Sequence, residues 1–506
     1  MIDFCFFLPI PTAWDIRAHP SYPWLVSFGP RSARSIFSFA GLFNSRKWLH
    51  CALRLQQTPH HVRFFIVQNI VVIGLTDVGR RVCSLLSSSG ISVVHLNEPS
   101  DAEVRAEVGK NIDGVVVLLH DDIKALRYSL MVHHMQPNTR LFVAMFDLTV
   151  RTQLRAVVPG CILLSPAAIS VPSMVAAALE PHILAIRRAT TPDIRSWVSV
   201  EKTSEKKLKI EPYRLPKLFK QRGLFGRMSG QFRPFDSGSR VLLGGALGLV
   251  LVIAIETLVG LGHAPFLRAL YDATRTTATI SSPALPDEPM VLIWATIAAL
   301  LVMGFTALFA AGIVNYILSG RHVEIFGRRA MPRFGHVIVV GMGQVGLRLA
   351  QELQQLGVAV VGIEQDPNAR TLQIARSCGI PVLIADGASR AAMEAVSVSG
   401  AVALVAASSE ERDNIAVAVG ALAVNQQLRV VMRAGSDEAI DETRSLFRIG
   451  AVVDVNGLTA SFVAASLRVD APYAVLATPE GDMAIDDSGT VLTTYPPHSQ
   501  RCSCHP

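Results

Sequence analysis

Apolar positions follow two rhythms along the chain. In two zones, residues 66–184 and 336–470, short β-branched runs alternate with stretches of helical periodicity. Runs such as Ile70-Val71-Val72-Ile73 and Val337-Ile338-Val339-Val340 are short and end at glycine, so they predict buried strands. The stretches between them predict crossover helices. Strands and helices in alternation specify α/β Rossmann-like doubly wound domains, here two of them. Between the zones the pattern changes. Residues 241–262 form 22 positions with one charge, Glu256, and residues 290–319 form 30 with none. About 20 apolar residues span a bilayer core, so both stretches predict transmembrane helices joined as a hairpin. The first carries Gly244-Gly245-Ala246-Leu247-Gly248, small residues that allow close helix approach.

The two α/β zones read as copies of one another. Asn69-Ile70-Val71-Val72-Ile73-Gly74-Leu75-Thr76-Asp77-Val78-Gly79 aligns with His336-Val337-Ile338-Val339-Val340-Gly341-Met342-Gly343-Gln344-Val345-Gly346. Further on, Arg140-Leu141-Phe142 aligns with Arg429-Val430-Val431. The offset is 267 residues at the first match and 289 at the second, so the first copy lacks 22 residues, about one helix and one strand. The gap falls between Asn97 and Val115.

The resulting division is 1–65 without assigned fold and expected to be disordered, 66–184 a degenerate Rossmann-like domain, and 185–240 a basic linker. A membrane unit follows at 241–319, a second basic linker at 320–335, an intact domain at 336–470 and a tail at 471–506. Residues 1–65 lack periodicity, a basic n-region and a small-residue cleavage site, which makes a poor signal peptide.

Composition supports the membrane reading. Half of the 506 residues are hydrophobic and 17% are charged. The net charge of +7 is unevenly placed, with eleven Lys/Arg against four acids between Glu201 and Arg240. Arg321, Arg328, Arg329 and Arg333 follow the second span, whereas the loop 263–289 holds two Arg against three acids. Positive charge on both outer flanks places those flanks, and both α/β zones, in the cytoplasm of a multi-pass cell-membrane protein. Basic charge beside a span is a topology signal, and no nucleic-acid partner is expected. The seven cysteines are scattered, without zinc spacing, and no metal site is expected.

The candidate chemistry lies in the second zone. Gly341-Met342-Gly343-Gln344-Val345-Gly346 closes a strand and opens a helix, the context in which this spacing binds a dinucleotide. Gly341 permits the tight turn, Gly343 the approach of a pyrophosphate, and Gly346 helix–strand packing. The helix N-terminus offers N–H groups and the positive end of its dipole. The second strand ends at Glu364, placed to accept ribose hydroxyls and repel a 2′-phosphate, which favours NAD(H) as cofactor. Later strands end at Asp386-Gly387 and at Ser408, positions that line the ligand crevice of such sheets. In the first copy Thr76 replaces the middle glycine and Asn97 the acid. Between Val337 and Pro497 there is neither lysine nor histidine to act as a general acid or base, so no catalytic residue is assigned and the chain is expected not to be an enzyme.

The second zone resembles the TrkA-N domain, also called the RCK N-terminal domain, of regulated potassium channels and transporters. The residues that carry the resemblance are the His336–Gly346 run, Glu364, Gly379-Ile380-Pro381-Val382-Leu383-Ile384-Ala385-Asp386-Gly387 and Ser408-Ser409-Glu410-Glu411-Arg412-Asp413-Asn414. The hairpin is similar to the two-helix pore unit of potassium channels. Residues 265–277 take the place of the pore helix, and Thr279-Ile280-Ser281-Ser282-Pro283 that of the filter. Ser281 and Pro283 replace the filter glycines whose backbone carbonyls coordinate the ion. Glu256 is an intramembrane acid, a type of residue that faces protein or an ion path. The resemblance implies an RCK-regulated channel for potassium or another monovalent cation, a homotetramer in contact with lipid. A non-conducting nucleotide-sensing subunit is the alternative, and a membrane-bound NAD-dependent oxidoreductase a remote one. The resemblance also leads to the expectation that the family's usual C-terminal companion domain is absent.

Overall fold

The computed structural model describes residues 67–145, 148–189, 197–204, 207–216, 237–262, 264–278, 289–318, 329–434, 450–469, 472–478 and 480–496. The assignment made for residues 1–65 and the filter-like stretch Thr279, Ile280, Ser281, Ser282 and Pro283 lie outside the described residues.

The first α/β copy runs β1 (Asn69–Ile73), α1 (Asp77–Ser88), β2 (Ser92–Leu96), α2 (Asp101–Val108), β3 (Gly114–Val117), α3 (Asp122–Met135), β4 (Arg140–Ala144), α4 (Leu148–Val157), β5 (Ile162–Leu164) and α5 (Pro166–Leu179). Its parallel sheet has the order β2-β1-β3-β4-β5. The β-branched runs are buried on both faces, as strands covered by helices on each side must be.

Three strands follow: β6 (Ile183–Arg188), β7 (Trp197–Ser204) and β8 (Lys207–Tyr213), paired antiparallel. They correct the linker expected over 185–240. Charges had masked an alternating pattern in which Val200 and Leu208 point inward and the neighbouring Lys209 outward.

The apolar stretches are α6 (Ser237–Gly260) and α8 (Pro289–Leu318), with the amphipathic α7 (Phe266–Thr277) between them. Both long helices are sufficiently long and apolar to cross a membrane, and only 22% and 17% of their apolar windows are buried. A core helix of a soluble protein of that composition would be mostly buried. The hairpin closes through glycine. A Cβ at Gly245 would lie 2.6 Å from the Phe309 backbone nitrogen, and one at Gly312 2.6 Å from Leu242 Cα.

The second copy runs β9 (His336–Val340), α9 (Gln344–Leu356), β10 (Ala359–Glu364), α10 (Thr371–Ser377), β11 (Val382–Ile384), α11 (Arg390–Ala395), β12 (Ala403–Ala406), α12 (Glu411–Val424), β13 (Arg429–Ala434), β14 (Ala451–Asp454) and α13 (Val455–Arg468). Its parallel sheet has the order β11-β10-β9-β12-β13-β14. Edge strand β11 has no counterpart in the first sheet, where a single helix, α2, connects β2 to β3.

Beyond it, β15 (Ala474–Thr478), β16 (Gly481–Ile485) and β17 (Val491–Tyr495) form a second antiparallel sheet. This corrects the tail expected over 471–506 within its described residues, 472–478 and 480–496. The two small sheets share a core of Ala185, Val200, Leu208, Leu476 and Ile485, and Leu208 N–H donates to Gly489 O at 2.8 Å.

The last helix of each copy packs on the other copy. α5 lies against α9 and the strands of the second sheet, and α13 lies against α1. One apolar cluster therefore runs through both copies, from Val82 through Met174 and Val463 to Leu349. The exchange is closed at both ends by equivalent arginines. Arg140 donates to Ser466 O at 2.8 Å and Leu467 O at 2.9 Å at the end of α13. Arg429 donates to Ala178 O at 2.9 Å and Leu179 O at 2.5 Å at the end of α5. Arg140 and Arg429, like Ala178 and Leu467, are separated by the 289-residue offset of the repeat. Guanidinium groups at helix C-termini satisfy orphan carbonyls and oppose the dipole.

Candidate nucleotide site

The loop between β9 and α9 lies where the sheet order reverses, between β10 and β12. Gly341 has φ +84°, and a Cβ there would sit 2.7 Å from Ser408 N. Its lack of a side chain both allows the turn and seats the loop against the end of β12. A Cβ at Gly346 would lie 1.9 Å from Gly341 O, so this glycine sets the helix against the loop. Gly343 differs. It is exposed, and a Cβ there would meet nothing within 4 Å. It is also the N-cap of α9, and no side chain caps it among the described residues. The first N–H groups of α9 therefore carry no side-chain cap and sit beside a position left open by the missing side chain, the setting in which helix N-termini bind anions.

The flanking residues contribute in different ways. Met342 and Val345 bury their side chains and offer only backbone to the loop, and Gln344 is exposed at the helix start. Glu364 Oε2 accepts the Met342 N–H at 2.8 Å, and its Oε1 accepts Gln365 N–H at 2.9 Å and Asp366 N–H at 3.1 Å. The carboxylate thus ties the end of β10 to the glycine loop. With roughly four lone-pair sites on its two oxygens, it retains capacity for a ribose hydroxyl. Asp386 is exposed, its Oδ1 accepting Ala388 N–H at 2.9 Å, which shapes the turn after β11. Gly387 is buried, and a Cβ there would lie 2.3 Å from Val340 Cγ1. Gly341, Gly343, Glu364 and Ser408 come together at the crevice. Asp386 and Gly387 close its β11 side.

Asn414 had been assigned no role, although it belongs to the Ser408–Asn414 motif. It is 1% exposed and holds both sides of the Ser408 residue. Its Oδ1 accepts Ser408 N–H at 2.9 Å, and its Nδ2 donates to Ser408 O and Arg433 O, both at 3.0 Å. One side chain thereby fixes the ends of β12 and β13 against the glycine loop. A lone amide on the apolar stripe of α12 was the available signal.

The first copy keeps the turn without the opening. Gly74 has φ +117°, and Gly79 packs on Gly74 O as Gly346 packs on Gly341 O. Thr76, however, caps α1, its Oγ1 accepting Gly79 N–H at 3.1 Å. The hydroxyl occupies the helix N-terminus that a phosphate would need.

In the membrane unit, Glu256 lies in α6, and its Oε2 is buried without a hydrogen-bond partner among the described residues. Arg275, on α7, pairs with Asp272 at 3.9 Å and stacks over the Tyr271 ring, which offsets its charge. Among the described residues, no group of three or more His, Cys, Asp or Glu side chains gathers to hold a metal.

Strand, glycine loop, uncapped helix and acid at the second strand end occur together in the segment where a family model, TrkA-N domain, matches residues 337–454. These residues match the TrkA-N domain. The chain is also 21% identical over 206 residues to potassium channel protein 1 of Methanocaldococcus jannaschii, a match covering 39% of this chain and 62% of that protein. The chain thus spans less than two thirds of that relative's length. Among solved structures it is similar to the GsuK RCK domain (12% identity, 82% of this chain and 81% of that one, TM-score 0.44). It is likewise similar to a GsuK channel bound to NAD (13% identity, 86% and 69%, TM-score 0.44). The chain thus carries a segment matching the TrkA-N domain and, over 206 residues, resembles a potassium channel protein.

Proposed function

We propose that the TrkA-N domain is a nucleotide sensor that regulates movement of potassium or another monovalent cation through the α6–α8 hairpin, with NAD(H) as its ligand. The observation that carries this reading is the open, uncapped N-terminus of α9 at Gly343, beside a carboxylate anchored to the same loop. The N–H groups of α9 would face the pyrophosphate, and Glu364 would accept ribose hydroxyls and oppose a 2′-phosphate. A sensing rather than catalytic role is supported by the lack of lysine and histidine between Val337 and Pro497 and by His336, which is buried at the start of β9, away from the strand ends that line the crevice.

A route to the hairpin is built into the chain. Met331, between α8 and β9, is fully buried in the core of the domain with Ile338, Val396 and Leu404. A ligand that binds one arrangement of the domain better than another would shift the population of both and move this anchor. The chain is proposed to act as a homotetramer with both α/β copies on the cytoplasmic side, an orientation that the basic flanks support. The substitutions Ser281 and Pro283 favour a second reading, a nucleotide-sensing subunit that does not itself conduct.

Calorimetric titration of the purified full chain tests the ligand. Binding of NADH or NAD is expected to exceed that of the 2′-phosphorylated forms. Gly343→Asp, which puts a carboxylate where the anion must sit, should weaken it at least about tenfold, or roughly 1.4 kcal/mol. Unchanged binding in Gly343→Asp contradicts the site.

A further inference from the structure

The contact between α1 of the first copy and α13 of the second contains a small charged cluster in apolar surroundings. Arg81 on α1 is 9% exposed and forms an ion pair with Asp454. Asp454 ends β14 and caps α13, its Oδ1 accepting Gly457 N–H at 2.8 Å. The fit leaves no slack, since a Cβ at Gly457 would lie 2.5 Å from Asp454 Oδ2 and 2.8 Å from Arg81 Nη1. Farther along α13, the buried Ser461 donates its hydroxyl to Asp482 Oδ2 at 2.8 Å. Asp482 belongs to β16, which packs on the same helix. Gly457 and Ser461 lie one turn apart on α13, so the Asp482 carboxylate stands about one helical turn from the Arg81–Asp454 pair. Among the described residues, the charges acting on Asp482 are Asp454 and Arg81, and Arg433 on β13 acts in turn through Asp454.

We propose that Asp482 is a proton-operated latch on the exchanged helix α13. With its proton in place, one carboxylate faces one guanidinium and α13 stays docked on α1. Without it, a second negative charge stands beside the Asp454 carboxylate, and the docking loosens.

The electrostatics support this arrangement. Burial, joined by the Asp454 charge and opposed by the Ser461 hydroxyl and Arg81, pushes the Asp482 carboxyl up to about 7 from an ordinary value of 3.8. The docked form therefore binds more protons than the undocked form between those two values. Docking weakens as pH rises through that window and levels off above it. Neutral pH lies at its upper edge, so cytoplasmic acidification would tighten the helix exchange.

Hydrogen exchange of the full chain in lipid nanodiscs at pH 6 and pH 8, corrected for intrinsic exchange rates, reads the latch. Amides of α13 should be about tenfold less protected at pH 8 in the wild type. Asp482→Asn, neutral at both values, should abolish the difference. Ser461→Ala removes a hydrogen bond that favours the carboxylate, so it should move the transition to higher pH. Equal protection at both pH values in the wild type overturns the proposal. So does a difference that survives in Asp482→Asn, or a transition in Ser461→Ala that stays in place or moves down. Ser461→Ala keeps the test decisive should Asp482→Asn not fold.

Discussion

His336 shows how a single residue ties the domain to pH. It is fully buried at the start of β9, where its Nε2 bonds to Val396 O at 2.8 Å. Its Nδ1 has no partner among the described residues. Burial lowers its pKa from 6.5 to about 4, against the smaller opposing pull of the Val396 carbonyl. The folded state excludes a proton that the unfolded chain accepts below 6.5. This contribution is thus intact above 6.5 and lost as pH falls towards 4, by roughly 3 kcal/mol. Denaturant titrations of wild type and His336→Gln between pH 7.5 and 4.5 isolate it from the opposite slope of Asp482. The wild type should lose stability relative to the variant as pH falls, and parallel profiles would contradict the assignment. At the same scale, Thr76 and Gly343 separate the two copies. One hydroxyl closes a helix N-terminus that one missing side chain leaves open.

At the scale of elements, the exchanged helices hold the copies together. Arg140 and Arg429 each grip the end of a helix that belongs to the other copy. Charge-assisted bonds of this kind contribute about 1.5–3 kcal/mol. Arg429→Met should cost about that much and raise hydrogen exchange at the end of α5 in the first copy. Arg140→Met should do the same for α13 in the second. Exchange that rises only around the altered strand would contradict the exchange as the binding element. The local units were legible in the sequence: β1 and β9 as β-branched runs, their glycine loops, the hairpin spans, and the missing edge strand in the change of offset from 267 to 289. The crevice was legible because its residues end strands. β6–β8 were not, because the Lys and Glu of β7 and β8 look like a solvated linker when charges are counted before alternation, and β15–β17 were not, because three five-residue strands without a helix between them lack the β/α rhythm that marked the two copies. The exchange has no local signature at all. Ala178 and Arg429 are 251 positions apart, and an apolar helix does not announce which sheet it will cover.

At the scale of the whole molecule, these features form a chain of connections. The open site at Gly343 lies on a domain whose core includes Met331, which lies between α8 and β9 in the chain. The same domain is locked to its closed copy by a shared core. In the proposed function, a ligand would bias two states of the α/β domains with the hairpin as output. Potassium flux into liposomes containing the purified full chain, with and without NADH, tests this claim most directly. The account predicts a flux that NADH changes in the wild type and leaves unchanged in Gly343→Asp. Flux that is indifferent to NADH in the wild type, or equally sensitive in Gly343→Asp, would contradict it.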